Sequence, residues 1–293
     1  MAYDLSNKLV VGISSRALFN LEEENKIFEE KGVEEYAKYQ LKHENDALKK
    51  GTAYPLVKAL LSLNNKFKEP IVEVIIMSHN TPETGLRIFN SIDSHKLNIV
   101  RAAFTGGELL AKYIKAFDID LFLSKNEQDV QDAINNGYAA AYLYDKPENY
   151  TPDNTQIRIA FDADAVVFSA ESEKIFQKYG LESFEKHEKE KAHQDLSDGP
   201  FAKFLRTLSR IKEKDPNLIK IAIVTSRDNP AHKRVIYTLR NWGVKVDEAF
   251  FLGGVNKKEV LRAFNPHIFF DDQDVHVKPA SSIVPSSRVP YKQ

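Results

Sequence analysis

Residues 103–125 read AFTGGELLAKYIKAFDIDLFLSK, and residues 250–272 read FFLGGVNKKEVLRAFNPHIFFDD. The two stretches align without a gap at a separation of 147 residues (position 104 onto position 251), which places Gly106–Gly107 on Gly253–Gly254. Upstream, VIIMS falls on IAIVT at the same separation, and NKIFEEKGVEEY falls on EKIFQKYGLESF at a separation of 148. Several matches at one nearly constant separation predict that the chain contains two copies of one structural unit.

Short hydrophobic runs alternate with charged, amphipathic segments along both halves of the chain. Runs such as VEVIIMS and IKIAIVTS predict buried strands, and the segments between them predict helices with charged outer faces. This alternation favours a parallel sheet covered by helices. The segment YDKPENYTPDNTQ, with its Pro, Asn and Asp residues, predicts a linker. We therefore expect an α/β, Rossmann-like fold in two tandem copies, residues 1–148 and residues 149–293.

Composition limits the classes of function. The 293 residues include 41 basic and 42 acidic side chains, and this balance argues against a nucleic-acid polymer as partner. There is no cysteine, so disulfides, thiolate catalysis and cysteine-based zinc sites are excluded. The first residues do not resemble a signal peptide, and no apolar run reaches the ~18 residues of a membrane span. We expect a cytoplasmic protein with no membrane partner.

Two carboxylates, one residue apart, follow a hydrophobic run in residues 161–169, FDADAVVFS. A buried charge is costly unless it is paired or bound to a metal, whereas Asp162 and Asp164 could also lie at a strand end that reaches water. Further polar residues follow other predicted strands, at the edge where open parallel sheets bind ligands. They are Thr225 and Ser226 after IAIV, Lys257 after the second glycine pair, and Asp271 and Asp272 after HIFF.

Each of these residues has an ordinary alternative when it is considered alone. Thr225 could cap a helix, Lys257 could be a solvated surface lysine, and Asp271 could belong to a turn. Together they supply carboxylates for a hard cation, a hydroxyl and an ammonium for phosphate oxygens, and a carboxylate that could act as a nucleophile.

The order of these motifs resembles that of the haloacid dehalogenase-like phosphohydrolases. The longer strings SSRALF, TGG, FDADAVVFSAESE and PHIFFDD are similar to those of the cytosolic type-I 5′-nucleotidases, over nearly the whole chain. The resemblance implies a Mg²⁺-dependent 5′-nucleotidase that hydrolyses nucleoside 5′-monophosphates such as AMP. Two alternatives remain: a phosphatase of sugar phosphates that uses the same site, and a nucleotide-binding protein without catalysis.

The resemblance also implies a role for each residue of the second copy. Asp162 would attack phosphorus and form an aspartyl-phosphate, and Asp164 would protonate the leaving oxygen and later activate water. Asp162, the main-chain carbonyl of Asp164, and Asp271 would hold Mg²⁺, with Asp272 behind these ligands. The phosphoryl oxygens would be bound by three side chains: Thr225, Ser226 and Lys257.

The first copy lacks the acidic residues. At the matching positions it has Ser14 for Asp162, Arg16 for Asp164, Ser124 for Asp271, Lys125 for Asp272, and Leu110 for Lys257. One interpretation is a degenerate structural remnant that packs against its twin. The other is an anion pocket in which Arg16 and Lys125 replace the metal, with hydroxyls from Ser14, Ser15 and Ser78. A nucleotide effector is the ligand that the resemblance suggests for such a pocket.

The segment between residues 168 and 200 is too long for a simple connection. The resemblance implies a helical cap insertion there, at about residues 169–200. Tyr179, Phe184 and His187 could stack on a nucleobase, although core packing is the alternative for residues at helical spacing. The preferred base and sugar do not follow from the sequence, and a homo-oligomer is compatible with it.

Overall fold

A computed structural model describes residues 3–293 as an α/β protein. Its strands are β1 (Leu9–Ile13), β2 (Phe19–Asn20), β3 (Lys49–Lys50), β4 (Val72–Ser78), β5 (Arg101–Phe104), β6 (Leu121–Ser124), β7 (Ala140–Leu143), β8 (Ile157–Phe161), β9 (Ile219–Thr225), β10 (Glu248–Phe251), β11 (Ile268–Asp271) and β12 (Ser286–Arg288). Ten of them form one sheet in the order β10-β9-β8-β11-β12-β7-β6-β1-β4-β5, and β2 pairs with β3 separately.

Helices connect most of these strands. They are α1 (Ser15–Leu18), α2 (Glu22–Lys42), α3 (Tyr54–Leu63), α4 (Leu86–Ser94), α5 (Ala111–Ile114), α6 (Glu127–Asn135), α7 (Glu171–Glu190), α8 (Ala202–Lys214), α9 (His232–Asn241), α10 (Lys258–Phe264) and α11 (Asp274–Ser281). A short 3₁₀ turn covers Asn64–Lys66, and a π-helical turn covers Ala163–Val167 directly after β8.

The large sheet is mostly parallel, as the alternation of strands and helices predicts. Its pairs are parallel except where β12 meets β7 in the middle of the sheet. β4 is buried at every position, and β9 at all but one, because strands covered on both faces need hydrophobic side chains throughout. The predicted strands VEVIIMS and IKIAIVTS therefore occupy the interior of each half of the sheet.

Strand order is the same in the two halves when it is read outward from the central antiparallel pair. The first half has the order β7-β6-β1-β4-β5, and the second half has β12-β11-β8-β9-β10. The segment expected to be a linker, residues 144–156, has no helix or strand and joins β7 to β8.

Local structure also corresponds between the halves. The long helices α2 and α7 are each interrupted by a glycine with positive φ, Gly32 at 83° and Gly180 at 79°. The main-chain N–H of Leu48 donates to the Ser91 hydroxyl at 3.0 Å, and that of Leu196 donates to the Thr238 hydroxyl at 2.9 Å. The segment at about residues 169–200, where a helical cap is expected, contains α7. Helix α2 lies at the matching place in the first half.

Both halves contribute to one hydrophobic core. A large cluster of buried side chains includes residues from β1, β4 and β6 as well as Ile159 and Phe161 of β8. A smaller cluster contains Ala160 of β8 together with Val224 and Phe269. Because neighbouring residues of a strand point to opposite faces, the two clusters lie on opposite sides of the second half of the sheet. The strand ends of that half are thus held by packing on both sides.

Candidate active site

Three neighbouring strands bring the predicted site residues of the second half together. β8 lies between β9 and β11, so Asp162 after β8, Thr225 at the end of β9, and Asp271 at the end of β11 share one edge of the sheet. The main-chain N–H of Asp162 donates to Phe270 O at 2.7 Å, which continues the β8–β11 pairing to the site. This is the edge at which open parallel sheets bind ligands.

Lys257 lies between two carboxylates. Its Nζ is 2.8 Å from Asp162 Oδ1 and 2.6 Å from Asp271 Oδ2, and the lysine side chain is almost fully buried. Asp271 also accepts a hydrogen bond from the Gln273 N–H at 2.9 Å, and His276 Nδ1 lies 3.3 Å away. The ordinary alternative for Lys257, a solvated surface lysine, is therefore wrong.

Asp272 completes a group of three acidic residues that could hold a metal ion. Carboxylate oxygens of Asp162, Asp271 and Asp272 all lie within 4.8 Å of one another. The sequence predicts that Asp272 lies behind the metal ligands, and its carboxylate is close enough to those of Asp162 and Asp271 to bind the same ion. The Tyr291 hydroxyl, near the C-terminus of the chain, donates to Asp272 Oδ2.

Two buried oxygens of this group lack hydrogen-bond partners. Within residues 3–293, neither Asp162 Oδ1 nor Asp272 Oδ1 has a hydrogen-bond partner, although Asp162 Oδ1 is paired electrostatically with the Lys257 ammonium at 2.8 Å. Buried polar atoms are normally paired, so these two oxygens indicate a missing ligand. Three carboxylates facing one lysine also leave an excess of negative charge. A divalent cation with a preference for oxygen ligands fits both observations.

The pKa values of the acidic group reflect this excess charge. Burial raises the pKa of Asp162 to about 6, and the nearby carboxylates of Asp271 and Asp164 add to the rise while Lys257 opposes it. Burial, together with the charges of Asp162 and Asp271, raises the pKa of Asp272 to about 8. At Asp271, the cationic Lys257 and its hydrogen bond with His276 outweigh burial and lower the pKa. Asp271 is thus the most firmly ionised of the three.

The side chain of Asp164 is turned toward a different partner. Arg227 donates to both of its oxygens, from Nε at 2.7 Å and from Nη2 at 2.6 Å. The chain around Asp164 is also irregular, since the next residue, Ala165, has a φ of 59° that side chains rarely adopt. Asp162 and Asp164 are therefore close in sequence but belong to two different charge clusters.

The second cluster extends into helix α7. Glu188 is fully buried, and its carboxylate accepts hydrogen bonds from Arg227, from Arg234 at 2.9 Å and from the Ser172 hydroxyl at 2.8 Å. The carboxylates of Asp164 and Glu188 outweigh burial and raise the pKa of Arg227. We call this set, Asp164, Ser172, Glu188, Arg227 and Arg234, the arginine cluster.

Neither Tyr291 nor the residues of the arginine cluster other than Asp164 are predicted from the sequence. Arg227 follows Thr225 by two residues, so its position after a strand was the available signal. Glu188 lies in a helix rich in charged residues, where nothing in the pattern distinguishes it from exposed neighbours.

The remaining predicted residues of the second half have different surroundings. The Thr225 hydroxyl is buried and accepts a hydrogen bond from the Arg227 N–H at 3.2 Å, whereas Ser226 is exposed. Phe184 is buried with Arg227 Cζ over its ring at 5.4 Å. His187 contacts the carboxylates of Glu188 and Glu171, and Tyr179 is 60% exposed. Phe184 and His187 thus already contact charged side chains of the protein.

The structure also brings together the five residues expected to form an anion pocket in the first half. Ser14, Ser15, Arg16, Ser78 and Lys125 all line one cavity of about 560 Å³. The hydroxyls of Ser15 and Ser78 lie 3.1 Å apart. Ser124, which stands where Asp271 stands in the second half, lines the same cavity. This cavity lies in the half that has no acidic residues at the positions of Asp162, Asp164, Asp271 and Asp272.

The fold and site define an α/β protein with a buried carboxylate and lysine group at the carboxyl edge of a parallel sheet, as in enzymes that act on phosphate esters. A sequence profile described as 5′-nucleotidase matches residues 1–293, and the chain belongs to the 5′-nucleotidase family. It is 36% identical over 291 residues to a human protein named cytosolic 5′-nucleotidase 1B. That alignment covers 94% of this chain and 48% of the human protein, so the chain spans about half the length of this relative.

Across residues 3–293, none of the helices combines the length and the apolar character that crossing a bilayer requires.

Proposed function

We propose that this chain is a phosphoric monoester hydrolase that converts nucleoside 5′-monophosphates of the AMP type into nucleoside and phosphate. The observation that carries the proposal is the buried group of Asp162, Asp271, Asp272 and Lys257, found in a member of the 5′-nucleotidase family. The name of the human relative supports the same activity and a cytosolic location for this chain.

Asp162 is the proposed nucleophile. Its carboxylate oxygen would form a bond to phosphorus while the bond from phosphorus to the 5′-oxygen breaks, and the leaving oxygen would take up a proton. Water would then attack the aspartyl-phosphate, lose a proton, and release phosphate with Asp162 restored. The ammonium of Lys257, 2.8 Å from Asp162, would balance the charge of the phosphoryl group as it approaches.

The proton would be supplied by Asp164, which first has to leave Arg227. Both oxygens of Asp164 accept hydrogen bonds from the guanidinium, so no carboxyl proton fits between them. Asp162 is only 5% exposed, so substrate binding also requires movement of nearby side chains. We propose that both movements are one: Arg227 turns from Asp164 toward the phosphate, and Asp164 is released as acid and base.

Mg²⁺ is the proposed cofactor. Asp162, Asp271 and Asp272 would hold it, and the two unpartnered oxygens of this group are the observation that fits an ion there. When bound, a divalent cation supplies positive charge that lowers the repulsion between the phosphate and an anionic nucleophile. Nucleophilic attack, proton transfer and charge balance at the phosphate are proposed for Asp162, Asp164 and Lys257 of the protein.

The first half is proposed to be a degenerate copy of the second, with the boundary at about residues 148–149. The shared strand order, the paired glycine interruptions of α2 and α7, and the matching hydrogen bonds of Leu48 and Leu196 support a tandem duplication. Without carboxylates at the positions of Asp162, Asp164, Asp271 and Asp272, the first half would not perform this chemistry. α7 is proposed to act as the cap of the active half.

A screen of phosphate release tests the proposal. Nucleoside monophosphates and sugar phosphates are compared at equal concentration, with Mg²⁺ and with chelator, for the wild-type chain and for Asp162→Asn. We expect release from nucleoside monophosphates that needs Mg²⁺ and is lost in the variant. Release from sugar phosphates alone would replace the nucleotidase with a sugar phosphatase, and nucleotide binding without release would indicate a sensor.

A further inference from the structure

The segment that follows β12, residues 289–293, contacts two of the proposed metal ligands. Its first residue, Val289, is fully buried, and the Val289 N–H donates to Asp271 O at 2.9 Å. Two residues further along, the Tyr291 hydroxyl donates to Asp272 Oδ2. Asp271 and Asp272 belong to the acidic group that could hold a cation. The segment therefore lies against the proposed metal site and contributes a hydroxyl beside it.

The hydrogen bond from Tyr291 distinguishes the two oxygens of Asp272. Oδ2 accepts from the tyrosine, whereas Oδ1 is buried and has no hydrogen-bond partner within residues 3–293. A carboxylate that is held at one oxygen keeps a fixed orientation, so its other oxygen also keeps its place. Carboxylates that bind metal ions are commonly held in this way by hydrogen bonds from neighbouring groups. Tyr291 thus decides which oxygen of Asp272 a cation would meet.

The main chain of this segment is bound to helix α6 of the first half. Gln131 donates from Nε2 to Tyr291 O at 2.9 Å, and the Gln293 N–H donates to Asn135 Oδ1 at 3.0 Å. The same Asn135 oxygen accepts a hydrogen bond from Gln131 Nε2 at 3.0 Å. The opposite face of α6 is buried in the large hydrophobic cluster through residues such as Ile134. Because the helix is fixed by this packing, it gives the segment a firm support.

A second tyrosine binds the same loop at a residue that is not a proposed metal ligand. Tyr144, directly after β7, donates to Asp274 Oδ1. Asp274 follows Asp272 by two residues and begins α11. The two tyrosines follow the strands of the central antiparallel pair, β7 and β12. Tyr144 therefore makes the same kind of hydrogen bond to the same loop as Tyr291 and provides a comparison within the molecule.

We propose that Tyr291 is a positioning residue for the metal site, and that the first half supports it through α6. The hydroxyl stabilises the ionised carboxylate of Asp272 and keeps its free oxygen in place for the cation. Gln131 and Asn135 hold the main chain around Tyr291 where this hydrogen bond can form. The inference rests on the proposed Mg²⁺ site, and it gives the first half a role that needs no ligand in its cavity.

Isothermal titration calorimetry of the full chain with Mg²⁺ at pH 8.5 tests the inference. Tyr291→Phe removes only the hydroxyl of a ring that is 41% exposed, and it is expected to weaken Mg²⁺ binding about tenfold. Tyr144→Phe removes the matching hydroxyl at Asp274 and is expected to keep the Mg²⁺ affinity within about twofold of the wild-type value.

Variants of α6 test the support from the first half. Gln131→Ala removes the hydrogen bond to Tyr291 O and is expected to weaken Mg²⁺ binding about threefold, although Gln131 contacts none of the proposed ligands. Gln128→Ala is the matched control, because Gln128 Nε2 donates at 2.9 Å to Asp132 Oδ1 of the same helix. This variant is expected to bind Mg²⁺ like the wild-type chain.

Kinetics separate positioning from a general structural defect. In Tyr291→Phe, the Mg²⁺ concentration that gives half-maximal phosphate release is expected to rise about tenfold, while kcat at saturating Mg²⁺ stays within about threefold of wild type. A purely structural role would instead lower kcat at saturating Mg²⁺ and leave the half-maximal concentration unchanged, which would contradict the proposal.

The calorimetry can overturn the proposal in three ways. Equal Mg²⁺ affinity of Tyr291→Phe and the wild-type chain would exclude Tyr291 as a positioning residue. Equal weakening by Tyr291→Phe and Tyr144→Phe would show a general effect on the loop, and equal affinity of Gln131→Ala and Gln128→Ala would exclude α6 as the support. A wild-type chain that binds no Mg²⁺ would contradict the proposed metal site together with this inference, whereas the other results contradict the inference alone.

Discussion

Each half of the molecule contains a buried ion pair between a glutamate of its long helix and an arginine, but the glutamate is at a different position in each half. In the second half, Glu188 of helix α7 accepts hydrogen bonds from Arg234 and Arg227. In the first half, the position of Glu188 is occupied by Gln40, and the acid is Glu24, which binds Arg87 at 2.8 Å. The buried acid therefore occupies different positions in the two helices, Glu24 in α2 and Glu188 in α7. The arginine that it contacts occupies matching positions, Arg87 in α4 and Arg234 in α9.

The difference decides what reaches the strand edge. In the first half, Gln40 donates a hydrogen bond to the Tyr36 hydroxyl, which donates to the neutral Asn80. The cavity of about 560 Å³ lies beside these residues. In the second half, Phe184 and Glu188 hold the charged Arg227 against Asp164. At matching positions after their strands, the first half therefore has the neutral Asn80 beside a cavity, and the second half has the cationic Arg227 hydrogen-bonded to Asp164.

The largest expected effect separates the halves by chemistry. Asp162→Asn keeps the shape of the side chain but removes the nucleophile, and kcat is expected to fall by at least about 10³-fold. Asp195→Asn, an exposed acid of the same half that contacts Asn241, is the matched control and should keep wild-type activity. Steady-state phosphate release provides the measurement. Retention of activity within tenfold by Asp162→Asn would mean that another group attacks phosphorus.

The second comparison concerns the buried acids. Glu188→Gln leaves two buried arginines without their shared carboxylate, whereas Glu24→Gln leaves one. We expect a loss of unfolding free energy of about 4 kcal/mol for Glu188→Gln and about 2 kcal/mol for Glu24→Gln. Urea denaturation of both variants measures the difference. Equal losses would show that Arg227 does not depend on Glu188.

The pKa of Asp272 is raised to about 8 in the absence of metal. The first half has no equivalent group, because Lys125 occupies the matching position. Below that pH a proton competes with the cation at this carboxyl, so Mg²⁺ should bind at least about tenfold more tightly at pH 8.5 than at pH 6.5. Isothermal titration calorimetry at both pH values measures the change.

The same shift affects the metal-free chain. The folded-state pKa lies above the unfolded value, so the folded state holds a proton that the unfolded state lacks between these values. The stability of the metal-free protein should therefore fall as pH rises from the unfolded value of 3.8 to about 8, and level off above that pH. Asp272→Asn removes this group and should flatten both dependences. A Mg²⁺ affinity independent of pH in the wild-type chain would argue against Asp272 as a ligand.

The smallest effect is expected to be equal in the two halves. Gly32 and Gly180 have φ near 80° and ψ near 180°, a region that residues with a Cβ atom avoid. Apart from the adjacent stretch of the helix itself, no heavy atom of residues 3–293 lies within 4 Å of an added Cβ at either position, so backbone strain is the main cost. Gly32→Ala and Gly180→Ala should each lower the unfolding free energy by about 1 kcal/mol. Thermal unfolding that differs strongly between them would show that the two kinked helices have different roles.

The sequence alone determined the class of fold and the ends of the strands. Hydrophobic runs such as VEVIIMS have to be buried on both faces, and the internal repeat placed polar residues such as Asp162 and Asp271 at equivalent strand ends. These are local patterns, because alternation, glycine pairs and residue spacing are visible without knowing which elements touch.

Only the tertiary structure decided how the charges are shared. In the structure, Lys257 is paired with Asp162 and Asp271, and Asp164 contacts Arg227. Glu188, one of many charged residues in its helix, is buried against the same Arg227. Such pairings depend on the packing of a helix over strands that are distant in sequence. The strength of an ion pair depends on burial and distance, and neither quantity is written in the order of the residues.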